Sequence, residues 1–278
     1  MAQFLAATAP YDRAKAVVYG LPMDWTVAYR PGCRLGPDAV REASWGLEEF
    51  CPSLGRGMAD SAGCDAGDAP LPAGDVEGSL KIVEQAAERF LRDNKFPVFL
   101  GGEHLLTLGT VRPFFARYPD LALVQLDAHA DLREEYQGRR LSHATVMRRL
   151  SEVLPPGSLY QVGVRSATQE EVEYAAALGS LVPGGVLQAM KALLPELARR
   201  PLYVSLDIDV ADPAFAPGTG SPEPGGPSSA ELLEALSLLG RVRLVGFDLV
   251  EVAPPYDPSG ITAYLAARVV RDVLLLVA

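Results

Sequence analysis

Aspartate and histidine side chains of metal-ligand type recur at intervals of two residues in the segment 127–131, which reads DAHAD. In an extended chain, residues i, i+2 and i+4 point to the same side. Asp127, His129 and Asp131 are therefore expected to converge beyond the end of the apolar run that precedes them. Asp207 and Asp209 repeat the spacing after a second apolar run. Because buried carboxylates so close together repel each other unless a cation neutralises them, the spacing predicts a metal site.

The three histidines of the chain support this prediction. His129 lies within the acidic segment, His104 follows an apolar run and two glycines, and His143 stands just before a predicted helix. The candidate ligands are four carboxylates and two imidazoles, namely Asp127, Asp131, Asp207, Asp209, His104 and His129. Four negative charges balance two divalent cations, and oxygen-rich ligation without thiolate favours Mn²⁺ over structural Zn²⁺. Helix capping or turn formation would explain an isolated aspartate, but it explains poorly five ligand-type residues at this spacing.

Short apolar runs that alternate with helical patterns must position these residues. Strands are predicted at residues 16–21, 97–100, 121–126, 159–164, 202–208 and 243–249. Helices are predicted at residues 76–93, 107–116, 145–152, 169–178, 228–239 and 260–277. Because the strand runs are apolar with little alternation, we expect an α/β fold with a mainly parallel sheet between helical layers. Ligands of such folds bind beyond the carboxyl ends of the strands, where the acidic segments lie.

One irregular stretch, residues 211–227, follows the strand that carries Asp207 and Asp209. Prolines and glycines stiffen and turn this stretch, so we interpret it as an ordered loop of the site rather than a flexible insertion. Residues 51–74 are similarly irregular but carry no identifiable chemistry. No shift in composition divides the chain, so residues 1–278 are predicted to form a single domain.

The composition argues against several classes of function. A net charge of −10 leaves no basic stripe for nucleic acid, although it would weakly attract a cationic ligand. No apolar run reaches the length of a membrane span, and the N-terminal residues lack the pattern of a secretory signal. Cys33, Cys51 and Cys64 are odd in number and widely spaced, which is typical of reduced thiols in a cytoplasmic protein.

With these residues identified, the chain resembles the ureohydrolase family, which includes arginases, agmatinases and formimidoylglutamases. The most specific signatures are residues 101–104 (GGEH), 127–131 and 205–217 (SLDIDVADPAFAP). The resemblance covers nearly the whole length, from residues 20–24 and 30–37 to residues 251–257. It implies a three-layer α/β/α sandwich of the arginase kind, two Mn²⁺ per chain, and assembly as a homo-trimer or homo-hexamer.

The resemblance also implies a role for each site residue. The two Mn²⁺ would share Asp127 and Asp207, with His104 and Asp131 completing one ligand set and His129 and Asp209 completing the other. Glu251 matches the carboxylate that binds the substrate's guanidinium group, and His143 matches the acid–base histidine that also contacts the substrate. Asp131 would additionally stabilise the tetrahedral intermediate of the reaction.

Within the family, segments 22–27 and 131–145 are most similar to agmatinases, which implies hydrolysis of agmatine, a small cation, to putrescine and urea. The loop 132–140 (LREEYQGRR) lacks the Asn with which arginases grip the amino-acid end of arginine. Glu134 and Glu135 would either face the distal amine of the substrate or lie on the solvated surface. Arg133, Arg139 and Arg140 leave guanidinobutyrate open as a substrate, and the unknown pocket depth leaves aminopropylagmatine and arginine open.

Two interpretations outside this family remain open at the level of sequence. One is another metal-dependent hydrolase on a similar scaffold, such as a deacetylase that uses one Zn²⁺. The other is a catalytically silent guanidino-binding or regulatory protein. The second acidic pair together with His104 favours two metals over one, and the presence of His143 and Glu251 beside a full ligand set favours an enzyme.

Overall fold

The computed structural model describes residues 2–278, apart from the side chain of residue 60. Residue 1, which the sequence assigns to the same domain, lies outside the described residues. The strands are β1 (Ala16–Leu21), β2 (Phe50–Cys51), β3 (Arg56–Gly57), β4 (Gly63–Asp68), β5 (Phe96–Gly101), β6 (Ala122–Leu126), β7 (Leu159–Val162), β8 (Leu181–Val182), β9 (Pro201–Asp207) and β10 (Arg243–Val250). The α-helices are α1 (Gly36–Ser44), α2 (Val76–Arg92), α3 (Thr107–Arg117), α4 (Val146–Ser151), α5 (Gln169–Leu178), α6 (Val186–Leu197), α7 (Ser229–Ser237) and α8 (Ile261–Leu276).

The central sheet contains eight strands in the order β4, β1, β5, β10, β9, β6, β7, β8. Every neighbouring pair in this sheet runs parallel, as the sequence predicted. Parallel neighbours cannot be joined by a tight hairpin, so helices supply most of the crossovers between them. The remaining two strands, β2 and β3, form a small antiparallel hairpin outside the sheet.

The strands are apolar on both faces because helices cover both faces of the sheet. Val17 and Tyr19 of β1 belong to a core that they share with α2, α3, α4 and α5. Ala16 and Val18, which point the other way, belong to a second core shared with α1, α6, α7 and α8. Strands buried on both sides lose the alternation of polar and apolar residues. The three-layer α/β/α sandwich is therefore confirmed.

The four strands in the middle of the sheet bring the predicted site residues to one edge. β5, β10, β9 and β6 are consecutive neighbours, and their carboxyl ends lie side by side. His104 follows β5, Glu251 follows β10, Asp207 ends β9 and Asp127 follows β6. Residues separated by more than a hundred positions in the chain thus meet at the place where ligands of such sheets bind.

Several elements differ from the sequence prediction. The stretch 51–74, which was interpreted as irregular, contains β3 and the edge strand β4, and the prediction also missed α1, α6 and β8. Strand β4 reads GCDAGD and is held by the fully buried Arg41 of α1, whose Nε lies 2.8 Å from Asp65 Oδ2 and whose Nη1 lies 2.6 Å from Asp68 Oδ1. Its stability therefore depends on an ion pair from a distant segment rather than on an apolar pattern.

Two further expectations concern bulk properties. Within residues 2–278, none of the helices combines the length and the apolar character that crossing a bilayer requires. Cys33, Cys51 and Cys64 are each buried with a free thiol, which agrees with the prediction that they do not form disulfides with one another.

Candidate metal centre and cavity

The imidazole of His104 faces three carboxylates at the end of the central strands. Its Nδ1 atom lies 3.0 Å from Asp127 Oδ2, 3.0 Å from Asp131 Oδ2 and 3.4 Å from Asp207 Oδ2. All four side chains are almost completely buried. Among the described residues, this nitrogen has no partner with hydrogen-bond geometry. A ring nitrogen that converges with three carboxylate oxygens is a donor set suited to a divalent cation.

A second group of ligand-type atoms adjoins the first. His129 Nδ1 lies 2.8 Å from Asp209 Oδ2 and 3.6 Å from Asp127 Oδ1. The ligand atoms of His129, Asp127 and Asp209 all lie within 4.8 Å of one another, and so do those of His104, Asp127 and Asp207. Asp127 therefore presents one carboxylate oxygen to each group. The chain has two adjacent His and Asp groups that are able to bind metal, and the residues fit a dinuclear site.

Tight turns, rather than extended backbone, make these side chains converge. β6 ends before Asp127, whose Oδ1 accepts a 2.6 Å hydrogen bond from the backbone N–H of His129. Asp207 Oδ1 accepts a 2.8 Å bond from the backbone N–H of Asp209 in the same way. Asp131 has a φ of 52°, in the left-handed region. The predicted convergence of the side chains is correct, but the extended backbone predicted for them is wrong. Asp127 and Asp207 each accept a hydrogen bond from the backbone N–H two residues further along the chain, which makes a turn.

Electrostatics around the two groups is dominated by burial and by mutual charge. Burial lowers the pKa of His129, but Asp127 and Asp209 raise it more, to about 12. The pKa of His104 is likewise raised well above its ordinary value by its three carboxylates, against the effect of burial. Burial, together with the charge of Asp127, raises the pKa of Asp131 to about 7. In the absence of a cation the centre thus retains protons, as expected for a cluster that requires positive charge.

An outer layer of hydrogen bonds, which the sequence analysis missed, orients the ligands. His104 Nε2 lies 3.0 Å from Ser205 Oγ, and that hydroxyl donates a 2.6 Å bond to Asp248 Oδ1. Asp248 Oδ2 accepts a 2.8 Å bond from the hydroxyl of Tyr203. Ser205, Asp248 and Tyr203 lie on the neighbouring strands β9 and β10. Such partners fix the orientation of a ligand imidazole.

Glu251 lies beside the metal groups at the end of β10, in a backbone conformation with a φ of 63°. Its Oε1 accepts a 2.8 Å hydrogen bond from the backbone N–H of His104, and its own N–H donates a 2.8 Å bond to Gly102 O. A Cβ at Gly102 would lie 1.9 Å from Met23 O, so only glycine fits this turn. Burial raises the pKa of Glu251 to about 8.

A cavity of about 320 Å³ opens over the two metal groups. Its walls include Asp131, Asp207, Asp209, Glu251, His104 and His129, together with His143. The loop 211–227 contributes Thr219, Gly220 and Ser221, so it shapes the cavity as interpreted from the sequence. Thr219 is buried, and its Oγ1 atom has no hydrogen-bond partner within residues 2–278.

His143 lies on the wall of the cavity at the start of a 3₁₀ turn that Ser142 caps. Its backbone N–H donates a 3.0 Å bond to Thr26 Oγ1, and its ring packs edge-to-face on Tyr136 with centroids 5.3 Å apart. Burial, followed by the charge of His104, lowers the pKa of His143 to about 4. The ring is therefore neutral near pH 7.

The acidic pair in the loop 132–140 does not face the cavity, so the interpretation that it contacts the distal amine is wrong for both residues. Glu135 is exposed and is not part of the cavity wall. Glu134 forms ion pairs of 3.0–3.2 Å with three arginines, namely Arg140, Arg148 and Arg149. Apart from Glu251 and the aspartates of the metal groups, the acidic residue described on the cavity wall is Glu171. Arg133 Nε lies 3.8 Å from Glu171 Oε2.

Known proteins are similar to this chain over nearly its whole length. Agmatinase from Bacillus subtilis (strain 168) is 46% identical over 275 residues, covering 98% of this chain and 95% of that protein. Guanidinobutyrase from Pseudomonas aeruginosa is 33% identical over 278 residues, covering 96% of this chain and 87% of that protein. The crystal structure of agmatine ureohydrolase of Thermoplasma volcanium superimposes with a TM-score of 0.90 at 34% identity, covering 100% of this chain and 94% of that chain.

The same relationship holds at the level of the whole family. The sequence model of the arginase family matches residues 14–276, which include all the strands and helices and every candidate site residue. With this match and with relatives above 30% identity over nearly the full length, the chain belongs to the arginase family.

Proposed function

We propose that this chain hydrolyses the guanidinium group of agmatine, using two Mn²⁺, to give putrescine and urea. The observation that carries the proposal is the shared cavity: two adjacent metal-binding groups and the buried carboxylate of Glu251 line the same space. This hydrolysis requires, among other things, a cation-activated water and a group that binds the guanidinium. The similarity to agmatinase of Bacillus subtilis over 98% of the chain supports agmatine as the substrate.

The proposed metal ligands follow from the two groups. His104, Asp127, Asp131 and Asp207 would hold one cation, and Asp127, His129, Asp207 and Asp209 would hold the other. Four carboxylates without a thiolate favour Mn²⁺. When bound, the two cations would supply a water molecule that is activated as a nucleophile near neutral pH.

Glu251 would bind and orient the guanidinium group. One of its oxygens, Oε1, is held by the His104 N–H. The other, Oε2, lies near Gly220 of the cavity wall, since a Cβ built on that glycine would be 4.0 Å from it. A carboxylate in this position makes charge-assisted hydrogen bonds to a planar guanidinium. Such a cation would keep Glu251 ionised despite the burial that raises its pKa to about 8.

His143 would deliver the proton that the leaving amine requires. Hydrolysis breaks the bond between the guanidinium carbon and the substituted nitrogen, and a proton from water must reach that nitrogen. A neutral imidazole can take up a proton on its unprotonated nitrogen and then give that proton to the leaving nitrogen. His143 lines the cavity together with Asp131, so both lie where the reaction would take place.

A second candidate substrate is guanidinobutyrate, which carries a carboxylate in place of the distal amine. Arg133 lies on the cavity wall, and its guanidinium would suit that carboxylate. Glu171 on the same wall would suit the amine of agmatine instead, although its two oxygens already accept bonds from Leu132 N and from Thr168. Because the guanidinobutyrase of Pseudomonas aeruginosa is 33% identical to this chain, guanidinobutyrate is included among the compounds to be tested.

The test is urea formation by the purified chain with added Mn²⁺. Agmatine, aminopropylagmatine, arginine and guanidinobutyrate are compared at equal concentration, with an Asp127→Ala protein as the control. We expect agmatine to give the highest kcat/KM and the control to give no urea above background. Absence of urea from all four compounds, or an unchanged rate in the control, would contradict the proposal.

Assembly and location complete the proposal. By the family resemblance, we expect a homo-trimer or homo-hexamer. The free thiols are the basis for expecting a cytoplasmic protein, and the acidic charge and the lack of a long apolar run are the basis for expecting no nucleic-acid or membrane partner. Light scattering of the purified protein would measure the number of subunits.

A further inference from the structure

Thr26 connects the cavity histidine His143 to a buried carboxylate that is not one of the proposed ligands. The carboxylate is Glu103, which is fully buried in the turn between β5 and His104. Its Oε2 atom accepts a 2.8 Å hydrogen bond from the backbone N–H of Thr26 and a 3.0 Å bond from the Thr26 hydroxyl. Thr26 Oγ1 in turn accepts a 3.0 Å bond from the backbone N–H of His143 and lies 3.4 Å from His143 Nδ1.

The hydrogen-bonding capacity of a hydroxyl determines which partner is the donor. Thr26 Oγ1 has one proton to donate and two lone pairs to accept with. As a carboxylate oxygen, Glu103 Oε2 accepts the Thr26 hydroxyl as well as the Thr26 amide, so the hydroxyl proton points toward Glu103. The lone pairs then face the His143 amide and the His143 ring. A hydrogen bond between Thr26 Oγ1 and Nδ1 therefore requires the proton to be on Nδ1.

We propose that Thr26, held by Glu103, is a positioning residue that fixes the ring orientation and the tautomer of His143. With Nδ1 protonated and turned toward Thr26, Nε2 is the unprotonated nitrogen and is left on the cavity side of the ring. Tyr136 packs edge-to-face on the ring and restricts its rotation from another direction. This inference rests on the proposed function, since it assigns Thr26 an effect on the proton transfer of His143.

Removal of the Thr26 hydroxyl should lower the rate of the reaction. Thr26→Val keeps the shape of the side chain but removes the hydroxyl that lies 3.4 Å from Nδ1 of the His143 ring. Because acid–base catalysis contributes about 10²- to 10⁴-fold to a rate, we expect kcat for urea formation to fall by about tenfold or more while KM changes by less than about twofold. Thr26→Ser keeps the hydroxyl and should stay within about threefold of the parent kcat.

A double-mutant cycle separates positioning from a general structural effect. Parent, Thr26→Val, His143→Ala and the double variant are compared in the Mn²⁺-loaded full chain, on the guanidino compound that the parent hydrolyses best. If Thr26 acts through His143, the valine substitution should lower kcat by less than about twofold once His143 is already alanine. An effect of the same size in both backgrounds, or a Thr26→Val protein with parent kcat, would overturn the inference. Thr26→Ala replaces the valine variant in the cycle should the latter not fold.

A crystal structure of Thr26→Val gives a readout that does not depend on turnover. We expect the His143 ring to turn so that Nδ1 no longer faces residue 26, and an unchanged ring would overturn the inference. The failure of the proposed function looks different. In that case the parent itself forms no urea from any of the four compounds. The orientation of the His143 ring in the Thr26→Val crystal structure then decides whether Thr26 positions that ring.

Discussion

The backbone N–H of His104 donates a 2.8 Å hydrogen bond to Glu251 Oε1, which joins a proposed metal ligand directly to the proposed guanidinium anchor. The two residues are 147 positions apart in the chain but follow the neighbouring strands β5 and β10. The distance between the metal groups and the Glu251 carboxylate is therefore set by the spacing of adjacent strands. A substrate carbon would be positioned by the sheet itself rather than by a mobile loop.

Glu251→Gln should remove guanidinium binding while leaving the metal centre intact. The amide oxygen can still accept the His104 N–H, but the charge that pairs with the substrate is lost. We expect kcat/KM to fall by about a hundredfold or more, since charge-assisted bonds and orientation both disappear. Steady-state urea formation and metal content per chain would be measured together. Loss of metal from the variant would mean that Glu251 belongs to the metal centre instead.

Asp127→Ala and Asp209→Ala should each abolish metal binding and reduce turnover to background. Asp127 presents an oxygen to both groups, and Asp209 faces His129 at 2.8 Å. Asp120→Asn, on an exposed turn after α3, is a control with the same change in charge as Asp127→Ala. Elemental analysis should find two Mn²⁺ in the parent and in the control. Two retained Mn²⁺ in either alanine variant would remove that residue from the ligand set.

Ser205→Ala should weaken metal binding without removing a ligand. The serine hydroxyl links His104 Nε2 to Asp248, so its loss frees the imidazole to rotate. Substitutions of such supporting partners typically cost about 10- to 100-fold in metal affinity. Thr110→Val, which removes one bond to Asp248 but does not touch His104, should have a smaller effect. Mn²⁺ affinities from a competing chelator would distinguish the two, and equal affinities would contradict the assigned role of Ser205.

The metal-free protein should become less stable as the pH rises from 6 to 8. Asp131 and Glu103 have a pKa of about 7 and Glu251 a pKa of about 8, all raised from 3.8 or 4.5 chiefly by burial. Groups whose folded pKa is raised stabilise the fold below their ordinary value and lose this contribution as the pH passes through the folded value. The lowered pKa of His143, about 4, opposes this trend only below its ordinary value of 6.5.

Thermal unfolding of the chelator-treated protein at pH 6 and pH 8 measures this effect. Saturating Mn²⁺ should reverse the trend, because deprotonated ligands bind the cation more tightly and ligand binding to the folded state raises its stability. A midpoint for the metal-free protein that is higher at pH 8 than at pH 6 would contradict the assignment of raised pKa values to this cluster.

Arg41→Met should destabilise the fold strongly although Arg41 is remote from the cavity. The arginine is completely buried and pairs with Asp65 and Asp68 of the edge strand β4. Removing one partner of a buried pair leaves an uncompensated charge, which costs about 3–5 kcal/mol of unfolding free energy. Denaturant unfolding would measure the loss, and Asp65→Asn added to Arg41→Met should restore part of it. A loss of less than about 1 kcal/mol, the scale of an exposed ion pair, would contradict the argument.

The sequence was sufficient to predict the central strands and the convergence of the candidate site residues at their ends, for identifiable reasons. β1, β5, β6, β9 and β10 consist mostly of apolar residues, and the candidate site residues lie at or just after the ends of the last four of these strands. Strand β4 could not be predicted, because its stability depends on the ion pairs of Arg41 and not on local hydrophobicity. The assembly of the metal groups could be predicted, but their turn geometry could not, since the left-handed backbone of Asp131 is not visible in residue types. The ligand roles themselves stay predictions until metal content is measured.

The partners of individual charged side chains could not be predicted from the sequence either. Glu134 and Glu135 are adjacent, yet Glu134 forms ion pairs with arginines of α4 and Glu135 is exposed to solvent. Glu103 looked like part of a glycine turn, and nothing in its spacing connects it to Thr26. Such pairings depend on side-chain packing between distant segments, which alternating or helical patterns do not encode.

Asp131 and Glu251 share one further property, their positive φ angles of 52° and 63°. Side chains other than glycine are disfavoured there by about 1–2 kcal/mol each. Glycine at either position would relax the backbone but would remove a carboxylate that the proposed reaction needs. Fold stability and the proposed activity therefore place opposite demands on positions 131 and 251.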